Sequence, residues 1–112
     1  MSDFQQEVKD RLAANARDER LKSDAAAFMR SSIASQYSYN FSWLGRPIIQ
    51  YPQDMIAMQE LIWSIQPDLI IETGIAHGGS LIFSASMLEL NAACGGSQDA
   101  SVLGVDIDIR PH

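Results

Sequence analysis

The sequence predicts an α/β fold in which N-terminal helices precede a single strand–helix–strand unit. Three patterns predict it. The first third of the chain has apolar residues at helical spacing among charged ones, two short apolar runs follow later, and a glycine-rich loop directly follows the first of these runs. With 112 residues the chain is at most one domain, and it is small for a compact core.

The first third of the chain predicts an N-terminal helical segment over residues 1–35. Apolar residues recur there at helical spacing: Phe4, Val8, Leu12, Leu21, Ala25, Phe28 and Met29. Ser2 and Gln5 have the spacing of a capping box, in which each side chain caps the backbone N–H of the other residue. The ordinary interpretation is a solvated amphipathic helix or helix pair that packs on a core. The alternative is an oligomerisation arm.

The formal net charge of −6 is unevenly distributed along the chain. Residues 1–30 contain six basic and six acidic side chains, which leaves two basic and eight acidic ones for the remainder. This acidic excess argues against a nucleic-acid-binding module. No apolar run approaches the roughly 20 residues of a membrane span, and the charged N-terminus lacks a secretory signal. Together with a single cysteine, Cys94, these features predict a cytoplasmic protein.

Residues 36–52 contain aromatic side chains at alternate positions: Tyr37, Tyr39, Phe41 and Trp43. A period of two is typical of a strand, whereas Gly45 and Pro47 then interrupt the pattern. This segment is therefore a short strand or an ordered loop. Because its surroundings are acidic, we expect the aromatic rings to pack on a neighbouring surface or to form one wall of a pocket rather than to stack on nucleic-acid bases.

A core-facing helix is predicted over residues 53–66, with apolar side chains at helical spacing: Met55, Met58, Ile62 and Ile65. Pro52 suits the first turn of a helix, where its missing N–H has no intrahelical partner to lose. Asp54 then places a carboxylate near the positive end of the helix dipole. Pro67 ends the helix, and the methionines are interpreted as adaptable packing rather than as metal ligands.

The strand–helix–strand unit follows directly. Residues 68–73 form a short apolar run typical of a fully buried parallel strand, and residues 74–79 form a tight glycine loop. Residues 80–90 then have helical periodicity, and residues 102–109 predict a second strand. Strand, helix and strand in this order predict a βαβ unit.

The glycine loop lies where an open α/β sheet binds its ligands, outside the carboxyl end of a strand. A phosphate-binding P-loop is excluded, because Gly79 is followed directly by Ser80 with no intervening lysine. The loop is closer to a dinucleotide fingerprint, but Ala76 stands where the second glycine would let the backbone approach a pyrophosphate. S-adenosylmethionine has no pyrophosphate. Its cationic methionine part would favour Glu72 at the end of the first strand.

The second strand supplies the remaining part of the predicted cofactor site. It carries Asp106, whose carboxylate can accept hydrogen bonds from both ribose hydroxyls, with Asp108 on the same face two residues later. More residues separate the glycine loop from Asp106 than the usual interval of about 20. The insertion at residues 94–101 accounts for much of the difference. The predicted cofactor-binding residues are Glu72, Gly74, Ala76, Gly78, Gly79, Ser80, Asp106 and Asp108.

Structural alternatives remain open for each of these residues. The glycines can have a purely structural role, in which they form a tight turn and let helix and strand pack closely without any ligand. The aspartates can instead cap a neighbouring loop. His77 could be a catalytic base, although a solvated loop histidine is the simpler interpretation. No catalytic residue is identified.

Three stretches, residues 43–54, 67–80 and 104–112, resemble the cephalosporin hydroxylase family, whose relatives include rhamnosyl O-methyltransferases. The resemblance covers residues 36–112, and its most specific part is the segment Glu-Thr-Gly-Ile-Ala-His-Gly-Gly-Ser. It implies a Rossmann-like methyltransferase fold that binds S-adenosylmethionine and methylates a sugar, lipid or antibiotic-like hydroxyl acceptor. Glu72, Gly74, Gly79 and Asp106 match the cofactor-binding positions of the family.

The resemblance also implies a magnesium ion in some members, with ligands on strands after the second one. The chain stops at His112, so we expect the N-terminal part of such a fold, truncated after the second strand and inactive alone. The alternative is a non-catalytic oligomerisation or interaction module that retains half of the fold, in keeping with an expected homo-oligomer. An NAD-type oxidoreductase is disfavoured by Ala76.

Overall fold

The computed structural model describes residues 2–109, and the chain divides after Gln36 into two compact units. The first unit contains two helices, α1 (Asp3–Arg17) and α2 (Glu19–Ala34). The second unit is a mixed α/β arrangement of two helices and two small sheets. Its elements in chain order are β1 (Phe41–Trp43), β2 (Arg46–Ile48), α3 (Pro52–Ile65), β3 (Leu69–Thr73), α4 (Gly79–Ala93) and β4 (Ser101–Val105).

The predicted helices of the first unit are confirmed, and so is the capping box at their start. Ser2 Oγ accepts a hydrogen bond from the backbone N–H of Gln5 at 3.2 Å, and Gln5 Oε1 accepts one from the N–H of Ser2 at 2.8 Å. Asp18 ends α1 and caps α2, because its carboxylate accepts a hydrogen bond from the N–H of Leu21 at 3.0 Å. Within α1 no residue is buried, so the apolar stripe of that helix remains exposed.

A β-hairpin accounts for the alternating aromatic segment. A short 3₁₀ turn at Tyr37–Tyr39 precedes β1, which pairs antiparallel with β2 so that Trp43 lies opposite Arg46. The two intervening residues, Leu44 and Gly45, both have positive φ, at 48° and 81°. Positive φ at both central residues is typical of a type I′ turn, which matches the twist of a hairpin. The strand interpretation of this segment is therefore confirmed for Phe41–Trp43.

Helix α3 begins at Pro52, one residue before the predicted start, and ends at Ile65. The sequence prediction extended it to Gln66, but that residue adopts a left-handed conformation and is the C-cap. Helix α4 packs beside α3. Its buried Asn91 donates a hydrogen bond from Nδ2 to the carbonyl oxygen of Ile62 at 3.2 Å, and the same oxygen also accepts the backbone N–H of Gln66 at 3.0 Å.

The core of the second unit lies between the hairpin, α3 and α4. Its buried apolar side chains come one from the hairpin, one from α3 and two from α4: Ile48, Ile62, Phe83 and Leu88. Trp43 packs edge-to-face on Phe83, with ring centroids 4.9 Å apart, and donates a hydrogen bond from Nε1 to Ser86 Oγ at 3.0 Å. The hairpin is thereby fixed to α4, and one predicted aromatic residue does pack on a neighbouring surface.

Strands β3 and β4 pair in parallel with α4 between them in sequence, so the predicted strand–helix–strand unit is confirmed. Burial alternates along both strands. The inner face is half-buried (Ile70, Glu72, Val102 and Gly104), and the outer face is exposed (Leu69, Ile71, Leu103 and Val105). The expectation of a fully buried first strand is therefore wrong for the described residues. No helix within residues 2–109 is long and apolar enough to cross a bilayer.

Candidate functional site

The loop between β3 and α4 is a tight turn held by backbone hydrogen bonds. The N–H of Gly74 donates to the carbonyl of Val105 at 2.8 Å, and the N–H of Gly78 donates to the carbonyl of Ile75 at 2.7 Å. Three of its residues have positive φ: Gly74, Ala76 and Gly78. Glycine adopts this conformation without strain, whereas Ala76 at φ 45° is held there by its surroundings. The turn therefore fixes the directions of the loop's N–H groups.

Asp106 joins the end of β4 to this loop. Its Oδ2 accepts a hydrogen bond from the backbone N–H of Ile75 at 2.8 Å, across 31 residues of sequence. Its Oδ1 accepts one from the N–H of Asp108 at 3.0 Å. The carboxylate thus brings the two predicted parts of the site, loop and acid, to the same edge of the parallel pair.

The position expected for Asp108 is wrong. The sequence analysis extended the second strand to Ile109, which would have placed Asp106 and Asp108 on one strand face, but β4 ends at Val105. Asp108 lies in the turn that follows, and there its backbone contacts the Asp106 carboxylate. The period-two argument therefore does not apply to it.

Glu72 lies beneath the loop, half-buried on the inner face of β3. Its Oε1 accepts a hydrogen bond from the hydroxyl of Ser80 in the first turn of α4. Its Oε2 is buried and has no hydrogen-bond partner among the described residues. A buried carboxylate oxygen without a partner is energetically unfavourable, so this atom is suited to accept a hydrogen bond from a ligand.

A cavity of about 90 Å³ adjoins Glu72, and we call it the carboxylate cavity. Its polar lining consists of two carboxylates, one amide and two hydroxyls: Glu72, Asp54, Gln50, Ser80 and Ser84. Its apolar wall includes Met55 and Met58 of α3 and Phe83 of α4. Among the described residues no Lys, Arg or His lines it, so its only formal charges are negative.

A second cavity, of about 200 Å³, adjoins the glycine loop itself, and we call it the loop cavity. Ile75, Ala76, His77 and Gly78 line it together with Arg46 of the hairpin. Its formal positive charge comes from that guanidinium. The two cavities therefore differ in the sign of their charge, and the sequence analysis anticipated neither Arg46 nor Asp54 as a lining residue.

Two glycines permit close packing around the site. A Cβ at Gly79 would overlap the backbone of Pro47, so α4 begins directly against the hairpin. A Cβ at Gly104 would lie 2.7 Å from Ile75 Cγ2 and 2.8 Å from Leu81 Cδ1, so β4 lies directly against the loop and α4. The close approach of helix and strand that the sequence analysis assigned to the loop glycines is made at Gly79, where α4 meets β2, and also at Gly104, which the sequence analysis did not single out.

Most of the predicted residues lie around the loop. Glu72 and Ser80 are hydrogen-bonded to each other, and the Asp106 carboxylate accepts a hydrogen bond from the backbone N–H of Ile75. His77 is half-buried and lines the loop cavity, whereas Cys94 is exposed in the loop after α4. Within residues 2–109 no group of three or more His, Cys, Asp or Glu side chains could hold a metal ion.

A family model described as rhamnosyl O-methyltransferase/CmcI matches residues 35–112. The match includes the hairpin, α3, the glycine loop and Asp106, and it covers most of the chain. It confirms the resemblance noted in the sequence, although residues 110–112 of the matched stretch lie outside the described residues. No curated protein and no solved structure matches the chain significantly.

Proposed function

Because the chain belongs to the rhamnosyl O-methyltransferase/CmcI family, we propose that its glycine loop and Asp106 bind S-adenosylmethionine as the methyl donor of an O-methyltransferase. The observation that carries the proposal is the 2.8 Å hydrogen bond from the N–H of Ile75 to Asp106 Oδ2. This hydrogen bond holds the loop that follows β3 against the Asp106 carboxylate, which follows β4. That edge of a parallel sheet is where open α/β folds bind nucleotide-like ligands.

The residues present fit the cofactor in charge. The methionine part carries an ammonium, an α-carboxylate and the adjacent sulfonium, so its net charge is positive, and the carboxylate cavity has only negative formal charges among the described residues. Glu72 Oε2 can accept a hydrogen bond from such a cationic group, which would satisfy a buried oxygen that lacks a partner within residues 2–109. We therefore assign the methionine part to Glu72 and Ser80.

Asp106 can hold the loop and bind a ribose at the same time. A carboxylate offers about four lone-pair sites. Two of them accept the N–H groups of Ile75 and Asp108. We propose that the same carboxylate also accepts hydrogen bonds from the ribose hydroxyls, which would make Asp106 both a scaffold residue and a ligand-binding one.

The cofactor would supply a methyl group activated by the adjacent sulfonium. The residues of this chain would contribute position and orientation, which is the main demand of an in-line displacement. The acceptor in this proposal is a small hydroxyl-bearing molecule of the sugar, lipid or antibiotic-like kind. No described residue is assigned as general base or as metal ligand.

We further propose that residues 36–112 are the N-terminal part of a Rossmann-like cofactor domain, and that residues 1–35 are a helical segment preceding it. The β3–β4 pair exposes its outer face, whereas parallel sheets in such folds are covered on both faces. Methyl transfer would therefore need additional strands or a partner, and these 112 residues alone would bind cofactor without turnover.

Calorimetric titration with S-adenosylmethionine tests this proposal. We expect saturable binding by the parent chain, and binding at least about tenfold weaker after Asp106→Ala, because the substitution removes the ribose acceptor and releases the loop. Asp99→Ala is the matched control, since it removes an exposed carboxylate from the loop after α4. Asp106→Asn retains one acceptor oxygen and should have an intermediate effect.

Absence of saturable binding by the parent chain would contradict the proposed function. So would tighter binding of a nicotinamide dinucleotide than of S-adenosylmethionine. An equal loss of affinity in Asp106→Ala and Asp99→Ala would contradict a direct role of Asp106 in the site, because a general loss of negative charge would then explain both losses.

One observation favours a second candidate, a non-catalytic interaction module that self-associates. The outer face of the sheet presents four exposed apolar side chains in two adjacent rows: Leu69, Ile71, Leu103 and Val105. Contiguous apolar surface of this kind marks interaction sites. Sedimentation velocity over a range of concentrations tests the candidate. A dimer that forms without cofactor supports it, and a monomer at every concentration contradicts it.

A further inference from the structure

We infer that Asp54 is a specificity-determining residue of the carboxylate cavity, where its carboxylate would recognise the α-ammonium group of the methionine part of S-adenosylmethionine. The inference rests on the proposed function and deepens it. Asp54 and Glu72 come from different elements, α3 and β3, and both line this cavity.

The surroundings of Asp54 favour a role in recognition. Its side chain is exposed at the rim of the cavity and makes no hydrogen bond or ion pair within residues 2–109. Glu72, at the inner side, directs one oxygen to Ser80 and keeps the buried Oε2 unpaired among the described residues. The cavity therefore has one half-buried and one exposed carboxylate, and each retains acceptor capacity.

The charge of the cavity selects a cation. Two carboxylates line this small cavity, and no described basic side chain in the lining offsets their negative charge. An ammonium group between them would be attracted to both and could donate a hydrogen bond to each. An anionic group there would be repelled by both carboxylates.

The remaining lining suits the rest of an amino acid. The amide of Gln50 and the hydroxyl of Ser84 can donate hydrogen bonds to an α-carboxylate, which keeps that group away from Asp54 and Glu72. Met55 and Phe83 offer apolar surface to the methylene chain. At about 90 Å³ the cavity is of the size of an amino-acid head group and too small for an adenosine, so the adenosine would lie towards Asp106.

A purely structural role for Asp54 makes a different prediction. Asp54 lies in the first turn of α3, where a carboxylate stabilises the helix through its dipole. In that case its substitution would lower helix stability and would weaken the binding of every ligand equally. A ligand that lacks the amino-acid part therefore separates the two roles.

The test compares S-adenosylmethionine with 5′-methylthioadenosine, which keeps the adenosine but has a neutral thioether in place of the sulfonium and lacks the ammonium and carboxylate. S-adenosylhomocysteine, which carries the ammonium and carboxylate on a neutral thioether, separates the ammonium from the sulfonium charge and should be weakened as much as S-adenosylmethionine. Titration calorimetry is performed on the parent, on Asp54→Asn and on Glu60→Gln, a control that removes an exposed carboxylate elsewhere on α3. We expect Asp54→Asn to weaken S-adenosylmethionine binding by about fivefold, the effect of about 1 kcal/mol for an exposed charged pair. Binding of 5′-methylthioadenosine should change by less than about twofold.

Added salt should reduce the difference between the parent and Asp54→Asn, because exposed charges are screened. Unchanged S-adenosylmethionine binding in Asp54→Asn would overturn the inference and leave the proposed function standing. Equal weakening of both ligands would also overturn it, since Asp54 would then act through the helix. A parent chain that binds neither ligand would contradict the proposed function and, with it, the inference.

Discussion

The two faces of the β3–β4 sheet differ in what they contribute. The inner face is packed so closely against α4 and the glycine loop that a Cβ at position 104 would crowd the side chains of Ile75 and Leu81, and it places Glu72 beneath the loop. The outer face repeats large apolar residues but leaves them exposed, with Ile71 at 60% of its full exposure. Apolar content alone therefore does not identify the face that carries the site. The face of this sheet that bears the proposed site is the one with a glycine and a carboxylate among its apolar residues.

The largest effect is expected from Gly104→Val. Its Cβ would lie within 3 Å of the side chains of both Ile75 and Leu81, so these side chains, or the loop and helix that carry them, must shift. Overpacking of this kind typically lowers the free energy of unfolding by about 1–3 kcal/mol. Urea unfolding followed by circular dichroism measures it. Leu103→Val, one residue away on the outer face, is the control, and an equal loss in both variants would contradict the difference between the faces.

A smaller loss is expected from Ser80→Ala. The substitution removes the hydroxyl that donates to Glu72 Oε1, and both oxygens of that half-buried carboxylate would then lack a partner among the described residues. We expect the free energy of unfolding to fall by about 1–2 kcal/mol. Ser64→Ala is the comparison, because that hydroxyl donates only to the carbonyl of Leu61 on the exposed side of α3. A larger loss in Ser64→Ala would show that the Glu72 contact contributes little.

The smallest effect on stability is expected from Ile71→Thr on the outer face. Threonine retains strand propensity, and the side chain it replaces is already exposed, so the free energy of unfolding should change by less than about 0.5 kcal/mol. The same change at Ile70, on the inner face, should be more destabilising. If the outer face mediates self-association, sedimentation velocity should also show less dimer for Ile71→Thr. Equal destabilisation at positions 70 and 71 would contradict the burial pattern.

The sequence was sufficient to predict the elements and the loop. Periodicity and the Ser2 capping box predicted a helical N-terminal segment, although not its division into two helices at Asp18. Pro52 marked the first turn of α3, and the order of apolar runs around the glycines predicted the parallel pair. These features depend on local chemistry, which a few adjacent residues determine. Family membership was likewise predicted from short segments and then confirmed by the match to residues 35–112.

Features that depend on contacts distant in sequence were not predicted. The sequence analysis did not decide between a strand and a loop for the hairpin segment, because the turn places Leu44, rather than the usual asparagine, at a positive φ. Nothing in the local sequence pattern singled out Gly104, because a larger residue is disfavoured there by the side chains of Leu81 and Ile75, which lie on other elements. Asp54 was assigned only to the helix dipole, because the sequence does not show that α3 and β3 line one cavity. The cofactor-binding roles of Glu72 and Asp106 remain predictions.

The hydrogen bond from Ile75 to Asp106 has a consequence for how the molecule can be observed. The amide proton of Ile75 is protected by a carboxylate that reaches it only when β4 is paired with β3. Its rate of exchange with deuterium in the solvent should therefore report the separation of the two strands. A single amide in the loop would thus serve as a natural probe of strand docking, readable by nuclear magnetic resonance without any label attached to the protein surface.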